Sequence, residues 1–207
     1  ADKAILAHNH PGGIAAPSID DFETTRRIRE LFLTSNKELV AAKGAELIKI
    51  ANENNVNFLF EASVGGGIPV LRPIAQCLAA NEIDEIWGIL NGTTNYILNK
   101  MIVDNMDFDA ALALAQELGY AEKNPAADIE GHDACRKICI LAGLAFGKHI
   151  PYTAIPHLEG ITSVTDTDIK EARELGYTIK LLGSAELVEG RVRILVAPHL
   201  VPAGNLL

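Results

Sequence analysis

Near the end of the chain two apolar, β-branched stretches, TIKLLGSAELV (178–188) and RVRILVAPHLV (191–201), are separated only by Glu189-Gly190. A two-residue connection ending in glycine between such runs predicts a β-hairpin. A lone hairpin does not hold itself together in water, so other parts of the chain must supply a further strand and the helices that cover it. EIDEIWGIL (82–90) alternates like a strand, and VNFLFEASV (56–64) is a second candidate that runs into GGGIP. Between them lie helical patterns. NKELVAAKGAELIKIANENN (36–55) reads as a helix broken at Gly44, another is expected up to about Ala80, and the turn cluster NGTTN opens a helix through NYILNKMIVD. In DFDAALALAQELG the apolar residues Phe108, Ala111, Leu112, Ala115 and Leu118 keep the helical period, with Asp107 as N-cap and Gly119 as the C′ stop. After the loop YAEKNPAADIEGH come the helices DACRKICILAGLAFG (133–147) and DIKEARELG (168–176). Helices interleaved with strands and a closing hairpin predict an α+β fold, a mixed or antiparallel sheet covered by helices. An open, all-parallel nucleotide-binding sheet fits less well.

The chain has 207 residues, 48% of them hydrophobic and 22% charged, which suits one full domain or one domain plus a fragment. A net charge of −9 and a pI of about 5.1 argue against nucleic acid as a partner, because binding its phosphates takes clustered Lys and Arg. No apolar run approaches the roughly 20 residues of a membrane span, and no basic-then-hydrophobic leader opens the chain, so cytoplasm is the default. Cys77, Cys135 and Cys139 are odd in number and read as reduced core residues. The first residue is Ala1, and the closing VAPHLVPAGNLL has neither helix cap nor polar tail; both ends read as cuts through a longer protein.

The segment GYAEKNPAADIEGHDACRKICILAG concentrates the ionisable groups. Glu122 and Asp128 fall on its loop, and Asp133 begins a helix with Lys137 four residues on, so that the last two share a helix face. With Ala134, Ile138, Leu141 and Ala145 as the buried stripe, Lys137 lies at the stripe's edge. A partly desolvated amine beside a carboxylate suits proton transfer to an alcohol or carbonyl oxygen. An exposed i, i+4 salt bridge beside a capping acid accounts for the same spacing.

Four stretches in order, NKELVA, FEASVGGGIP, GILNGTTNYIL and GYAEKNPAADIEGHDACRKICILA, resemble the signature segments of homoserine dehydrogenases, from about Thr34 onward. The resemblance implies NAD(P)-dependent interconversion of L-homoserine and L-aspartate 4-semialdehyde, in the biosynthesis of threonine, methionine and isoleucine. By that resemblance Lys137 is the proton donor and acceptor, and Asp133 the carboxylate that contacts homoserine and positions it. Glu122 and Asp128 are substrate-binding, and Lys37, Gly119 and Glu122 border the cofactor. The glycines Gly65, Gly66 and Gly67 do not make a dinucleotide fingerprint, because Val70 stands where G-x-G-x-x-G needs glycine. The family implies instead a monovalent cation such as sodium at Glu61, Val64, Gly66 and Ile68, and oxygen ligands suit such an ion; a tight turn explains the glycines equally well. Asn91, Gly92, Thr93 and Thr94 line the pocket, or Thr93 or Thr94 caps the next helix. Homoserine dehydrogenases carry a Rossmann domain and continue further, so residues 33–207 read as a truncated catalytic domain, silent by itself. The family also implies a homodimer, and a purely dimerising role is an alternative.

Residues 1–32 carry a different pattern, expected to end a strand, turn through a Pro/Gly loop and start a helix capped by Ser18 or Asp20. His8, His10, Ser18 and Asp21, spaced His-x-His, seven residues, Ser, two residues, Asp, resemble the RadC-like branch of the JAMM metalloproteases. That resemblance implies zinc at His8, His10 and Asp21 and a hydrolase fragment. The family's catalytic glutamate belongs to upstream sequence not included here, so loose histidines without bound metal are the simpler reading.

Overall fold

The computed structural model describes residues 31–205. His8, His10, Ser18 and Asp21, with their predicted helix, lie outside the described residues. The chain runs β1 (Leu31–Leu33), α1 (Lys37–Glu53), β2 (Asn57–Leu59), a 3-10 turn, a π turn (Pro73–Cys77), β3 (Glu85–Gly88) and α2 (Gly92–Val103). It continues through α3 (Phe108–Glu117), α4 (Ala126–Ile129), α5 (His132–Phe146), α6 (Asp166–Glu174), β4 (Tyr177–Val188) and β5 (Arg191–Pro202).

The hairpin forms as its sequence dictates, with Glu189 and Gly190 both at positive φ in the turn and Val188 opposite Arg191. β3 adds antiparallel to β4, giving the order β3-β4-β5. Ile86, Ala185 and Ile194 share one register row and face the helices, and α5 packs on them. The α5 face made by Ala134, Cys135, Ile138, Cys139, Leu141 and Ala142 is almost wholly buried. Its close approach depends on Gly183, where a Cβ would stand 2.9 Å from Leu90 and 3.3 Å from Ile138. The architecture is α+β, an antiparallel sheet with helices on one side.

Several boundaries differ from the sequence reading. α1 runs unbroken through Gly44, because the cost of about 1 kcal/mol for a mid-helix glycine is offset by the Asn36 cap and by burial of Val40, Ala41 and Ala51. β2 stops at Leu59, and β1 pairs with it in parallel through the α1 crossover. The backbone then folds back because Glu61 Oε1 accepts the N–H groups of Val70 (2.6 Å) and Leu71 (2.9 Å), and Oε2 that of Arg72 (2.8 Å). The helix expected up to Ala80 shrinks to the π turn, led by Pro73. Cys135 and Cys139 are buried free thiols as expected, whereas Cys77 is exposed at the end of that turn. No helix among the described residues is long and apolar enough to cross a membrane.

Candidate active site

α5 opens on Gly131, held at φ +84°, and no side chain caps its first turn. Unpaired N–H groups at a helix start favour an acid nearby. Asp133 stands there, only 1% exposed. A carboxylate buried that far needs partners for both oxygens. Its Oδ2 accepts from Lys137 Nζ at 2.7 Å and from Asn91 Nδ2 at 2.8 Å, and its Oδ1 pairs with Lys37 Nζ. Lys37 is the first residue of α1, where the helix dipole disfavours a cation, so the ion pair with Asp133 accounts for its position. It is therefore not a freely solvated lysine. Lys137 also donates to the Leu90 carbonyl at 2.8 Å, beyond the end of β3, and keeps 18% of its side chain exposed. The edge position read from the helical period is the one it occupies.

Asn91 caps α2, a task the sequence reading gave to Thr93 or Thr94. Its Oδ1 accepts the Thr94 N–H (2.8 Å) and the Thr94 hydroxyl (2.9 Å), and its amide nitrogen donates to Asp128 Oδ1 at 2.7 Å as well as to Asp133. Asn95 ties this turn to the sheet by exchanging two hydrogen bonds with the Leu181 backbone. Asp128 sits on the single helical turn α4 rather than on a loop, half-buried, and among the described residues its Oδ2 accepts no hydrogen bond. The two acids are shifted in opposite directions for physical reasons. Burial alone would push the Asp133 carboxyl up, but hydrogen bonds from Lys137, Lys37 and Asn91 outweigh it and hold the group below the usual carboxylate range. Burial raises Asp128, the Asn91 hydrogen bond only partly opposes this, and the nearby Asp133 charge adds to the rise.

A second pair reinforces the first. Arg136, one turn beyond Asp133, meets Glu38 at 3.2 Å and lies 5.0 Å from the centre of the Tyr152 ring. The start of α1 is thus pinned to α5 by Lys37–Asp133 and Glu38–Arg136 together.

Other predicted site residues stay outside this network. Glu122 is exposed and its side chain has no hydrogen bond or ion pair among the described residues; its carbonyl accepts from Gln116 Nε2 at 3.0 Å. Gly119 ends α3 at φ +77° and is joined to the Asn91 loop through Thr93 Oγ1, which donates to the Tyr120 carbonyl at 2.7 Å. In the glycine turn, Gly65 approaches the Ile68 carbonyl so closely that a Cβ would stand 2.8 Å from it. Glu61's carboxylate accepts three backbone N–H groups, two on Oε1 and one on Oε2, beside the carbonyls of the turn. Among the described residues no three His, Cys, Asp or Glu side chains gather into a metal site. Two hollows of about 290 and 430 Å³ lie elsewhere, one between α1 and the last turns of α5 and one beside β2, and none of the five network residues Lys37, Asn91, Asp128, Asp133 or Lys137 lines either. The one network member underrated by the sequence reading is Asn91; its signal was an N-cap residue three positions before Thr94 at a strand-to-helix junction.

Comparison with known proteins gives two family matches: homoserine dehydrogenase over residues 69–207 and the RadC-like JAB domain over residues 1–36. The homoserine dehydrogenase of Bacillus subtilis is 43% identical over 176 residues, 85% of this chain and 40% of that protein. The crystal structure of a homoserine dehydrogenase from Thiobacillus denitrificans superposes with a TM-score of 0.80 at 44% identity, over 84% of this chain and 40% of that one. A hyperthermophilic archaeal homoserine dehydrogenase in complex with NADPH gives a TM-score of 0.72 at 27% identity, over 92% of this chain and 56% of that one. The chain thus spans about 40% of the length of the Bacillus relative.

Proposed function

Because this chain belongs to the homoserine dehydrogenase family, we propose that its Asp128–Asp133–Lys137 cluster is the substrate and proton-transfer site of an NAD(P)-dependent interconversion of L-homoserine and L-aspartate 4-semialdehyde. The observation that carries this reading is the unequal use of the two acids. Asp133 has both oxygens engaged by Lys37, Lys137 and Asn91, so it fixes Lys137 beneath the substrate, whereas the open Oδ2 of Asp128 is free to take the substrate's α-ammonium. Glu122, exposed beyond α3, is a second acidic acceptor on the strength of the family resemblance.

NAD(P)H, as in the archaeal relative's NADPH complex, supplies the hydride when bound. Lys37, with 38% of its side chain exposed, and Gly119, with nothing within 4 Å of an added Cβ, leave room for a planar ring to approach. Lys137 Nζ gives a proton to the substrate's aldehyde oxygen as the carbon is reduced, and takes it back from the alcohol in the reverse direction. The Asp133 carboxylate and the Leu90 carbonyl hold that nitrogen in one place throughout.

The carbonyls of Val64, Gly66 and Ile68 accept no backbone hydrogen bond among the described residues, an all-oxygen set that fits a monovalent cation such as sodium. We assign the chain to the cytoplasm and to threonine and methionine biosynthesis on the strength of the family, with residues 33–207 as its catalytic domain. A homodimer is supported by the sheet face turned away from the helices, where Trp87 is 51% exposed; light scattering tests it.

The test of the central reading is NADPH-dependent reduction of L-aspartate 4-semialdehyde by the chain, alone and mixed with a homoserine dehydrogenase nucleotide-binding segment. Lys137→Ala abolishes turnover while leaving the circular dichroism spectrum unchanged. Turnover that survives the substitution, or folding lost along with it, would sink the assignment.

A further inference from the structure

We infer that Asn91 is the positioning residue of this site, a neutral spacer whose single amide group holds the Asp128 and Asp133 carboxylates at a fixed separation and keeps Asp128 ionised for its cationic ligand. The inference rests on the reading of Asp128 as the substrate's ammonium acceptor.

Asn91 is 4% exposed, and each of its amide atoms has a fixed partner. Its Oδ1 has to face Thr94, because the Thr94 backbone N–H at 2.8 Å can only donate and the Thr94 hydroxyl lies on the same side at 2.9 Å. That choice aims both amide hydrogens the other way, one at Asp128 Oδ1 (2.7 Å) and one at Asp133 Oδ2 (2.8 Å). The helix cap therefore sets the orientation of the spacer. Two carboxylates that near each other repel, and one of them is driven towards its protonated form unless donors intervene. The charged groups acting on Asp128 are Asp133 and Lys137 on α5 and Lys37 on α1, while α2 brings only the neutral Asn91. Both lysines already serve Asp133, so the amide is the one hydrogen-bond donor that Asp128 has among the described residues. Without it Asp128 would stand half-buried beside a like charge, protonated more readily and poorly matched to an ammonium.

Two variants separate this role from helix capping. Serine and aspartate are both strong N-caps, so Asn91→Ser and Asn91→Asp each keep an oxygen for Thr94 and lose the bridging donors. Carbon-13 NMR titration of labelled aspartates, with the Asp128 signal identified from Asp128→Asn, is read on the 207-residue chain. The expected result is an Asp128 midpoint displaced to higher pH in Asn91→Ser, with a melting temperature about 3–9 °C below the parent from the hydrogen bond lost to Asp133. In the reconstituted enzyme kcat/KM for the semialdehyde falls roughly 10- to 100-fold in Asn91→Ser, chiefly through KM, and further in Asn91→Asp. An unmoved Asp128 midpoint in Asn91→Ser overturns the inference, as does a loss of melting temperature that accounts for all of the lost activity. If the parent shows no turnover but the midpoint still rises in Asn91→Ser, the spacer role stands and the dehydrogenase reading falls.

Discussion

A single methyl group at Gly160 should damage this protein about as much as truncating a large core side chain. Gly160 is buried, and a Cβ placed there would lie 2.0 Å from the Ile129 carbonyl oxygen and 2.5 Å from Glu130 Cα, both backbone atoms of the segment that carries Asp128. Ordinary carbon–oxygen contact begins near about 3.3 Å, so α4 and the 159–161 strand-like segment must separate by roughly 1.3 Å. That separation breaks the Ile161 N–H to Ile129 carbonyl hydrogen bond of 2.8 Å and disturbs Ile161, which is fully buried. Overpacking costs about 1–3 kcal/mol and the lost backbone bond about 1 kcal/mol, for a total of about 2–4 kcal/mol. At about 3 °C per kcal/mol for a domain of this size, Gly160→Ala should melt roughly 6–12 °C lower by calorimetry. Because a displacement of about 1 Å at a catalytic group can cost ~100-fold in rate, activity at a permissive temperature should fall by that order. Gly143 is the matched control: it lies within α5, its Cβ would meet only the Lys148 carbonyl at 3.6 Å, and Gly143→Ala should gain about 0.5–1 kcal/mol. Equal melting temperatures for the two variants would refute the steric reasoning.

The two acids should behave oppositely. Asp133→Ala leaves Lys37 and Lys137 facing each other across a buried gap and should cost about 3–5 kcal/mol, measured by urea unfolding at pH 7. Because its folded pKa lies below the unfolded value of about 3.9, the stability Asp133 contributes is complete above that value and is lost as pH falls through the lower, folded one. Asp128 has the reverse shift, so its ionisation burdens the fold increasingly as pH rises from the unfolded value to the raised folded one, and fully above that. Asp128→Asn should therefore raise the melting temperature at pH 7, converge with the parent below about pH 4, and weaken homoserine binding; a variant less stable than the parent at pH 7 would contradict the assignment.

The hairpin, the Asp107 cap and the edge position of Lys137 were legible because each follows from a local rule: a two-residue turn, a capping side chain, a period of 3.6 residues. What local rules could not supply was who pairs with whom. Glu61 looks like a strand residue until its carboxylate is seen to collect three N–H groups nine to eleven residues ahead, and that long-range capture is what cuts β2 short. Lys37 looks like a solvated lysine at a helix start, and only the crossover between β1 and β2 brings it to Asp133. Asn91 reads as one polar residue among four in NGTTN, and its distinction lies in 37 and 42 residues of separation from the acids it bridges.

The same pairings explain why the site can be stiff although its parts come from three distant stretches of chain. A carboxylate 1% exposed depends on its three partners, so any motion of α1, of the Asn91 turn or of α5 that opens one hydrogen bond uncovers part of the desolvation cost of Asp133. Asn95 fastens the Asn91 turn to β4, and Arg136 with Glu38 fastens α1 to α5 a turn away, so that such motions are opposed twice. The group at the centre has both oxygens engaged, and that engagement gives Lys137 a fixed address. Asp128 is the member of the network with an oxygen to spare and a half-exposed position, and on the proposed reading adaptation to a substrate falls to it.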